Sequence, residues 1–140
     1  MLKVWMLAAG MALAALTGGS AMAQDIVMTV GERSFTVTLE DNAYAEEFLK
    51  ELPVTLSFED FGRNERIAYL DEKLSVRSYK EAVQVKRGDL CYYVPWGNLC
   101  AFRVNYSSPG DLLRLGSMSE EALRAIEGSG SSPVTFRAVE

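Results

Sequence analysis

Histidine is absent from the 140-residue chain. This absence excludes the usual general base near neutral pH, and with it Ser-His-Asp and Cys-His catalysis. It also removes the commonest metal ligand, and two cysteines with scattered carboxylates match no familiar zinc spacing. The sequence therefore predicts no cofactor and no metal, and it favours a non-enzymatic protein.

Clusters of basic residues are also absent. Lysine and arginine number 14 against 19 acidic residues, which gives a formal net charge of −5. Nucleic acids and anionic membrane surfaces attract clustered cations, so the sequence predicts neither as a partner. The acidic pairs are adjacent in sequence, as in Glu46-Glu47, so their side chains diverge and are typical of solvated surface rather than of acid–base catalysis.

No apolar run is long enough to span a bilayer, which takes about 20 residues. The longest, Val4–Leu16, follows Lys3 and precedes the small-x-small pattern of Ala21–Ala23. These features predict a signal peptide at residues 1–23 and a mature chain that begins at Gln24. The protein is therefore expected to be exported, either periplasmic or secreted, with no membrane insertion after cleavage. Residues 24–140 have the length of one domain.

The mature chain is rich in short strand patterns. Two strands precede an amphipathic helix that Asp41 or Asn42 caps and that runs to Leu52; several strands, a second short helix and a closing strand follow. Many short antiparallel strands with only two helices predict a mostly-β fold. We expect a closed barrel whose ends the helices cover, with an open α+β sandwich as the alternative.

The most informative stretch is a predicted hairpin of Leu90–Val94 and Leu99–Val104 around the loop Pro95–Asn98. This register places Cys91 and Cys100 diagonally, about 7–8 Å apart, which is beyond the usual disulfide limit of about 7 Å. A shorter loop would place the two cysteines directly opposite each other. An oxidising compartment favours a disulfide, whereas the register favours buried free thiols, so both alternatives remain open.

The two faces of this hairpin predict different roles. Cys91 and Phe102 share one face, and Tyr92 and Arg103 share the other, which is a candidate groove. Trp96 on the loop tip is either an exposed anchor or a plug folded over the barrel end. Packing against the core is the favoured interpretation for Trp96 and for Phe61. Arg63 and Arg66 are interpreted as surface residues. The candidate ligand-binding residues are Tyr92, Trp96, Asn98, Arg103, Phe61 and Arg63.

Several motifs resemble those of the bacterial cyclophilin-like domain family of small proteins. They are Leu39–Asn42, Leu52–Leu56, Phe58–Phe61, Gly88–Tyr93, Pro95–Leu99 and Leu115-Gly116. The resemblance covers essentially all of Ile26–Glu140 and implies a closed eight-stranded antiparallel barrel capped by two short helices. One departure is Arg103, at a position where the family suggests a further aromatic residue.

The resemblance does not by itself assign a function. True cyclophilins are prolyl isomerases with a Phe-His-Arg signature, whereas this chain has Phe61-Gly62-Arg63. The leading hypothesis is an exported, non-enzymatic barrel that binds a small ligand or an extended peptide. The alternatives are a weak peptidyl-prolyl cis-trans isomerase that uses Arg63 or Arg103, and a purely structural envelope protein.

Overall fold

The computed structural model describes residues 23–78 and 80–139. The predicted signal peptide lies outside this part, apart from Ala23. The elements in chain order are β1 Gln24–Val30, β2 Arg33–Leu39, α1 Ala43–Lys50, β3 Val54–Ser57, β4 Glu59–Phe61, β5 Glu65–Tyr69, β6 Val83–Val85, β7 Asp89–Tyr93, β8 Asn98–Phe102, β9 Tyr106–Ser108, β10 Leu112–Met118, α2 Glu120–Glu127 and β11 Pro133–Ala138.

Nine of these strands form one antiparallel sheet in the order β3-β11-β1-β2-β10-β7-β8-β5-β4. Strand β3 also lies beside β5, so the first eight strands roll into a nearly closed barrel and β4 extends beyond it as a short hairpin arm. The prediction of an eight-stranded, mostly-β barrel with two helices is confirmed. Near-closure leaves little unpaired strand edge, which protects a small β domain from edge-to-edge association.

The barrel interior is the main core. Alternating residues of every barrel strand supply it, among them Met28 of β1, Val37 of β2 and Leu99 of β8, and all three are fully buried. Both helices add their apolar faces through Phe48 of α1 and through Ala122, Leu123 and Ile126 of α2. The ring of Phe48 meets Phe136 edge-to-face, with centroids 5.8 Å apart. The helices therefore act as covers for the barrel, as the apolar stripes in the sequence predict.

A second apolar cluster lies outside the barrel, on the outer face of the sheet. Its buried members are Ile67, Val85, Cys91, Cys100, Phe102 and Leu112. The small two-stranded sheet of β6 and β9 brings Val85 over this face. As a result, β8 and most of β7 are buried on both faces.

The central hairpin of β7 and β8 has a different register from the predicted one. Tyr93 pairs with Asn98 and Cys91 pairs with Cys100, so the loop is Val94–Gly97 and the prediction that Tyr93 pairs with Cys100 is wrong. The physical reason is Gly97, whose φ of 72° takes the left-handed position while its N–H donates to Tyr93 O at 2.9 Å. The pairing shifts by two positions in total, an even number, so every side chain keeps its predicted face.

The helix ends also refine the predictions. Asn42 caps α1 by accepting from Ala45 N at 2.8 Å, and the helix ends at Lys50, two residues before the predicted Leu52. Ser119 caps α2 in the same way, by accepting from Ala122 N at 3.1 Å. Neither helix within residues 23–78 and 80–139 has the length and apolar character that crossing a bilayer requires.

Arg66 joins the barrel to the α2 segment. Its side chain is almost fully buried, so the prediction that it is a surface residue is wrong. The guanidinium donates to Asp60 Oδ1 (2.9 Å), Phe58 O (3.0 Å), Ile126 O (2.7 Å), Ser129 Oγ (3.0 Å) and Gly130 O (3.1 Å). A planar group with five N–H donors suits this arrangement, which adds a charged donor to Ile126 O in the last turn of α2 and to the carbonyls of Phe58 and Gly130.

We predict that Arg66→Met lowers the free energy of unfolding by at least about 3 kcal/mol, because three backbone carbonyls and Ser129 Oγ lose a charged donor. Arg66→Lys is expected to lose most of the same amount, since an ammonium cannot reproduce the fork. Urea denaturation followed by circular dichroism measures the change. Arg63→Met, at an exposed position three residues earlier, is the control and is expected to stay within about 0.5 kcal/mol of the native protein. Equal stability of Arg66→Met and Arg63→Met would contradict the prediction.

Gly116 gives a second stability test. It lies at a bulge in β10, and a Cβ atom there would stand 2.2 Å from Thr38 O of β2. Gly116→Ala is therefore expected to destabilise the fold by more than about 2 kcal/mol, because backbone must move to relieve the contact. Gly128→Ala is the matched control, since its Cβ would meet nothing closer than Arg124 O at 3.5 Å. Thermal unfolding of the two variants compares them, and a Gly116→Ala melting temperature as high as that of Gly128→Ala would show that the strands are not this close.

Candidate functional site

A cavity of about 520 Å³ lies on the outer face of the barrel. Its floor is the outer face of β5, β7 and β8, represented by Ile67, Tyr93 and Cys100. The β4 arm and the loop between β7 and β8 supply one side, and the segment from β9 to the start of β10 supplies the other. The residues that line it are Phe61, Glu65, Ile67, Lys80, Tyr93, Trp96, Asn98, Cys100, Phe102, Tyr106, Ser108, Pro109, Gly110, Asp111 and Leu112.

Aromatic rings form two walls of this cavity. Trp96 meets Phe61 and Tyr93 edge-to-face, with centroids 5.5 and 5.6 Å apart. On the other side Phe102 and Tyr106 are stacked at 5.7 Å with an interplanar angle of 17°. Phe61 and Trp96 remain about half exposed, at 46% and 47%. The prediction that these two rings pack into the core is therefore wrong, because Phe61 on the β4 arm and Trp96 on the β7–β8 loop pack against each other outside the barrel.

The polar groups on the floor form a connected set. Asn98 is buried at 1% exposure, and its Nδ2 donates to Leu99 O (3.1 Å) and Cys100 Sγ (3.3 Å). These donations fix the orientation of the amide, and they leave Asn98 Oδ1 buried with no hydrogen-bond partner in the described part of the protein. Burial raises the pKa of Glu65, and its interaction with the Cys100 thiol opposes the rise.

Asp111 stands at the opposite rim. Its Oδ1 is also buried and accepts no hydrogen bond from any described residue. The ammonium of Lys80 lies 3.7 Å from it, an ion-pair distance that is too long for a hydrogen bond, and the Lys80 side chain is largely exposed. Ser108, by contrast, is satisfied locally by the backbone of Gly110.

The two cysteines occupy the same outer face, directly opposite each other across β7 and β8. Both are buried free thiols in this structure. Burial raises the pKa of the Cys91 thiol and of the Cys100 thiol well above the usual thiol range. The observed register removes the distance argument against a disulfide, because directly opposite residues lie closer than the diagonal pair that the sequence suggests.

The structure brings together three of the six predicted site residues. Phe61, Trp96 and Asn98 line the cavity. Tyr92 instead points into the barrel, where it is 1% exposed and its hydroxyl accepts from Leu74 N at 2.9 Å. Burial raises the pKa of this tyrosine.

The two candidate arginines also lie away from the lining. Arg103 bonds Glu127 through Nε (3.1 Å) and Asp60 through Nη1 (3.3 Å), next to the buried Arg66. Arg63 is exposed in the turn between β4 and β5. The groove therefore lies on the face opposite to the predicted one, since the Tyr92 face fills the barrel.

Sequence reasoning missed Glu65, Tyr106 and Asp111. Strand alternation places Tyr93, Cys100 and Phe102 on one face of the hairpin, so this part of the lining can be predicted from the sequence. Tyr106 lies on β9, which pairs with β6, whereas Asp111 precedes β10 and its backbone O accepts from Val94 N at 3.0 Å. No spacing in the sequence predicts these contacts between short segments.

The lining groups suit binding better than nucleophilic chemistry. A thiol with a raised pKa, as at Cys100, is protonated near neutral pH and is a poor nucleophile. Among residues 23–78 and 80–139, no three His, Cys, Asp or Glu side chains are close enough together to hold a metal ion.

Comparison with known proteins agrees with this architecture. The family model described as the cyclophilin-like family matches residues 28–137. Among solved structures, the chain is similar to the hypothetical protein AF2241 from Archaeoglobus fulgidus, with a TM-score of 0.62 and 13% sequence identity over 86% of this chain and 98% of that one. That likeness supports the fold alone. No curated protein matches the sequence significantly. Because the family model covers most of its length, the chain belongs to the cyclophilin-like family.

Proposed function

We propose that this protein binds a small organic ligand, or one side chain of an extended peptide, in the outer cavity. The observation that carries the proposal is the pair of aromatic walls around a recess of about 520 Å³. Fully burying a large apolar side chain is favourable by about 1.5–3 kcal/mol, and a half-exposed ring gains only part of this free energy. A ligand between them recovers that free energy, and pockets of this size and composition are typical of small-molecule sites.

The shape of the cavity favours a flat or narrow ligand. Stacked Phe102 and Tyr106 present one surface, and Trp96 with Phe61 and Tyr93 presents a second. Aromatic contacts of this kind add about 0.5–1.5 kcal/mol each beyond area burial. A prolyl isomerase reading has less support, since neither Arg63 nor Arg103 lines the cavity to polarise a prolyl amide.

Trp96→Ala tests the binding site. A panel of small aromatic amines, alcohols and carboxylates, together with short extended peptides, is titrated by isothermal calorimetry and by tryptophan fluorescence. In protein that keeps residues 1–23, Trp96→Phe supplies the fluorescence background from Trp5, the other tryptophan of the sequence. We expect at least one member of the panel to bind, and Trp96→Ala to weaken that binding about tenfold through lost ring contact.

The matched control for this test is Tyr69→Ala. Tyr69 is exposed to the same degree as Trp96, at 49%, but it does not line the cavity. Its loss is expected to leave binding unchanged. Absence of binding across the whole panel, or equal effects of the two variants, would remove the support for a binding site here.

Export is the second part of the proposal, and it rests on the sequence of residues 1–23. We expect the protein recovered from the extracytoplasmic fraction to have the mass of a chain that begins at Gln24. Changing the small residue before the cleavage point, in Ala23→Leu, is expected to block processing and leave the full-length mass. Native protein that keeps residues 1–23 and stays in the cytoplasm would contradict export.

A further inference from the structure

We infer that the outer cavity selects a cationic ammonium group, carried by a free amine or by a lysine side chain. The inference deepens the proposed binding function and rests on it. It starts from the polarity of the cavity lining rather than from its shape. Two buried acceptors of the lining, Asn98 Oδ1 and Asp111 Oδ1, accept no hydrogen bond from any described residue, and such acceptors favour a ligand that donates.

Asn98 is the first of these acceptors. Its amide donors are both used, on Leu99 O and Cys100 Sγ, while its Oδ1 is buried and unpartnered. A buried acceptor without a donor is unfavourable, so a ligand N–H at this point is favoured. A ligand carboxylate would instead place a second acceptor against it.

The carboxyl groups give the preferred charge. Glu65 lies on the same cavity floor, and Asp111 stands on the rim with its own unpartnered Oδ1. Burial raises the pKa of Glu65, and the hydrogen bond with the Cys100 thiol opposes this rise without cancelling it, so a nearby cation would further stabilise the carboxylate form. A cation bound beside either carboxylate supplies that carboxylate with a partner.

Lys80 shows the same preference within the chain. It is the one cation among the described residues that line the cavity, and its ammonium already lies 3.7 Å from Asp111 Oδ1. Because its side chain is 87% exposed, this contact is loose and displaceable. The aromatic walls complete the site, since ring faces attract a cation within about 6 Å.

The test uses three ligands of similar size on the full-length protein: phenethylamine, 2-phenylethanol and 3-phenylpropionate, measured by calorimetry at neutral pH. We expect the amine to bind at least tenfold more tightly than the alcohol, and the carboxylate to bind most weakly. Alcohol or carboxylate affinity equal to or above that of the amine overturns the inference and leaves the binding function standing. Absence of binding by all three, and by the wider panel, overturns the binding function as well.

Three variants assign the preference to named groups. Glu65→Gln and Asp111→Asn keep the side-chain shape, and each is expected to weaken amine binding about five- to tenfold without changing the affinity of the alcohol. Lys80→Met removes the internal competitor and is expected to strengthen amine binding severalfold. Glu59→Gln, an exposed carboxylate outside the lining, is the control and should change nothing.

The unaltered alcohol affinity separates a lost charge from a misfolded site. Parallel loss of amine and alcohol binding in both carboxyl variants would overturn the assignment of charge to these residues.

The source of the ammonium is distinguished by comparing phenethylamine with the peptide acetyl-Ala-Lys-Ala-amide and its Lys-to-norleucine analogue. Tighter binding of the lysine peptide than of both phenethylamine and the norleucine peptide identifies a protein partner, and tighter binding of phenethylamine identifies a free amine.

Discussion

The double-sided burial of the β7–β8 hairpin is the constraint on which the structure depends. Side chains such as Leu90 and Leu99 face the barrel interior, while Cys91, Cys100 and Phe102 face outward beneath the β6–β9 sheet. Few strands of a small barrel are covered on both faces, because each face needs its own apolar partner. Here the outer cover is incomplete, and the uncovered part of the outer face is the cavity floor.

The position of the cavity follows from how the barrel closes. The first and last barrel strands, β3 and β5, meet beside each other, and the chain between them turns back as the β4 arm. The buried Arg66 fixes this corner, because its guanidinium bonds the backbone on both the arm side and the α2 side. Phe61 at the end of the arm therefore lies against Trp96 of the β7–β8 loop. A buried charged group thus helps to hold the Phe61–Trp96 pair at the side of the cavity.

The arginines near α2 form ion pairs with its carboxylates, and they do not line the cavity. Arg87 and Arg103 are engaged with the acidic residues of α2, and the pairing with Arg87 and Arg124 lowers the pKa of Glu120 to about 2. The positive charges of these guanidinium groups are therefore balanced by carboxylates outside the cavity. The cavity keeps the opposite bias, with carboxylates and an amide oxygen facing the aromatic walls. This separation gives the recess the acceptor character on which the proposed selectivity rests.

The sequence by itself determined the class of fold, because period-two alternation and two amphipathic stripes act locally and survive small errors in register. It also determined which side chains of the hairpin share a face, since a shift of two positions in the pairing leaves the faces unchanged. It did not determine which face lines the barrel, because both faces of β7 and β8 are apolar. The positions of Arg66, Glu65, Tyr106 and Asp111 were decided by the tertiary structure alone. Each depends on pairing between segments distant in sequence, and the free energy of such contacts exists only once the barrel has closed.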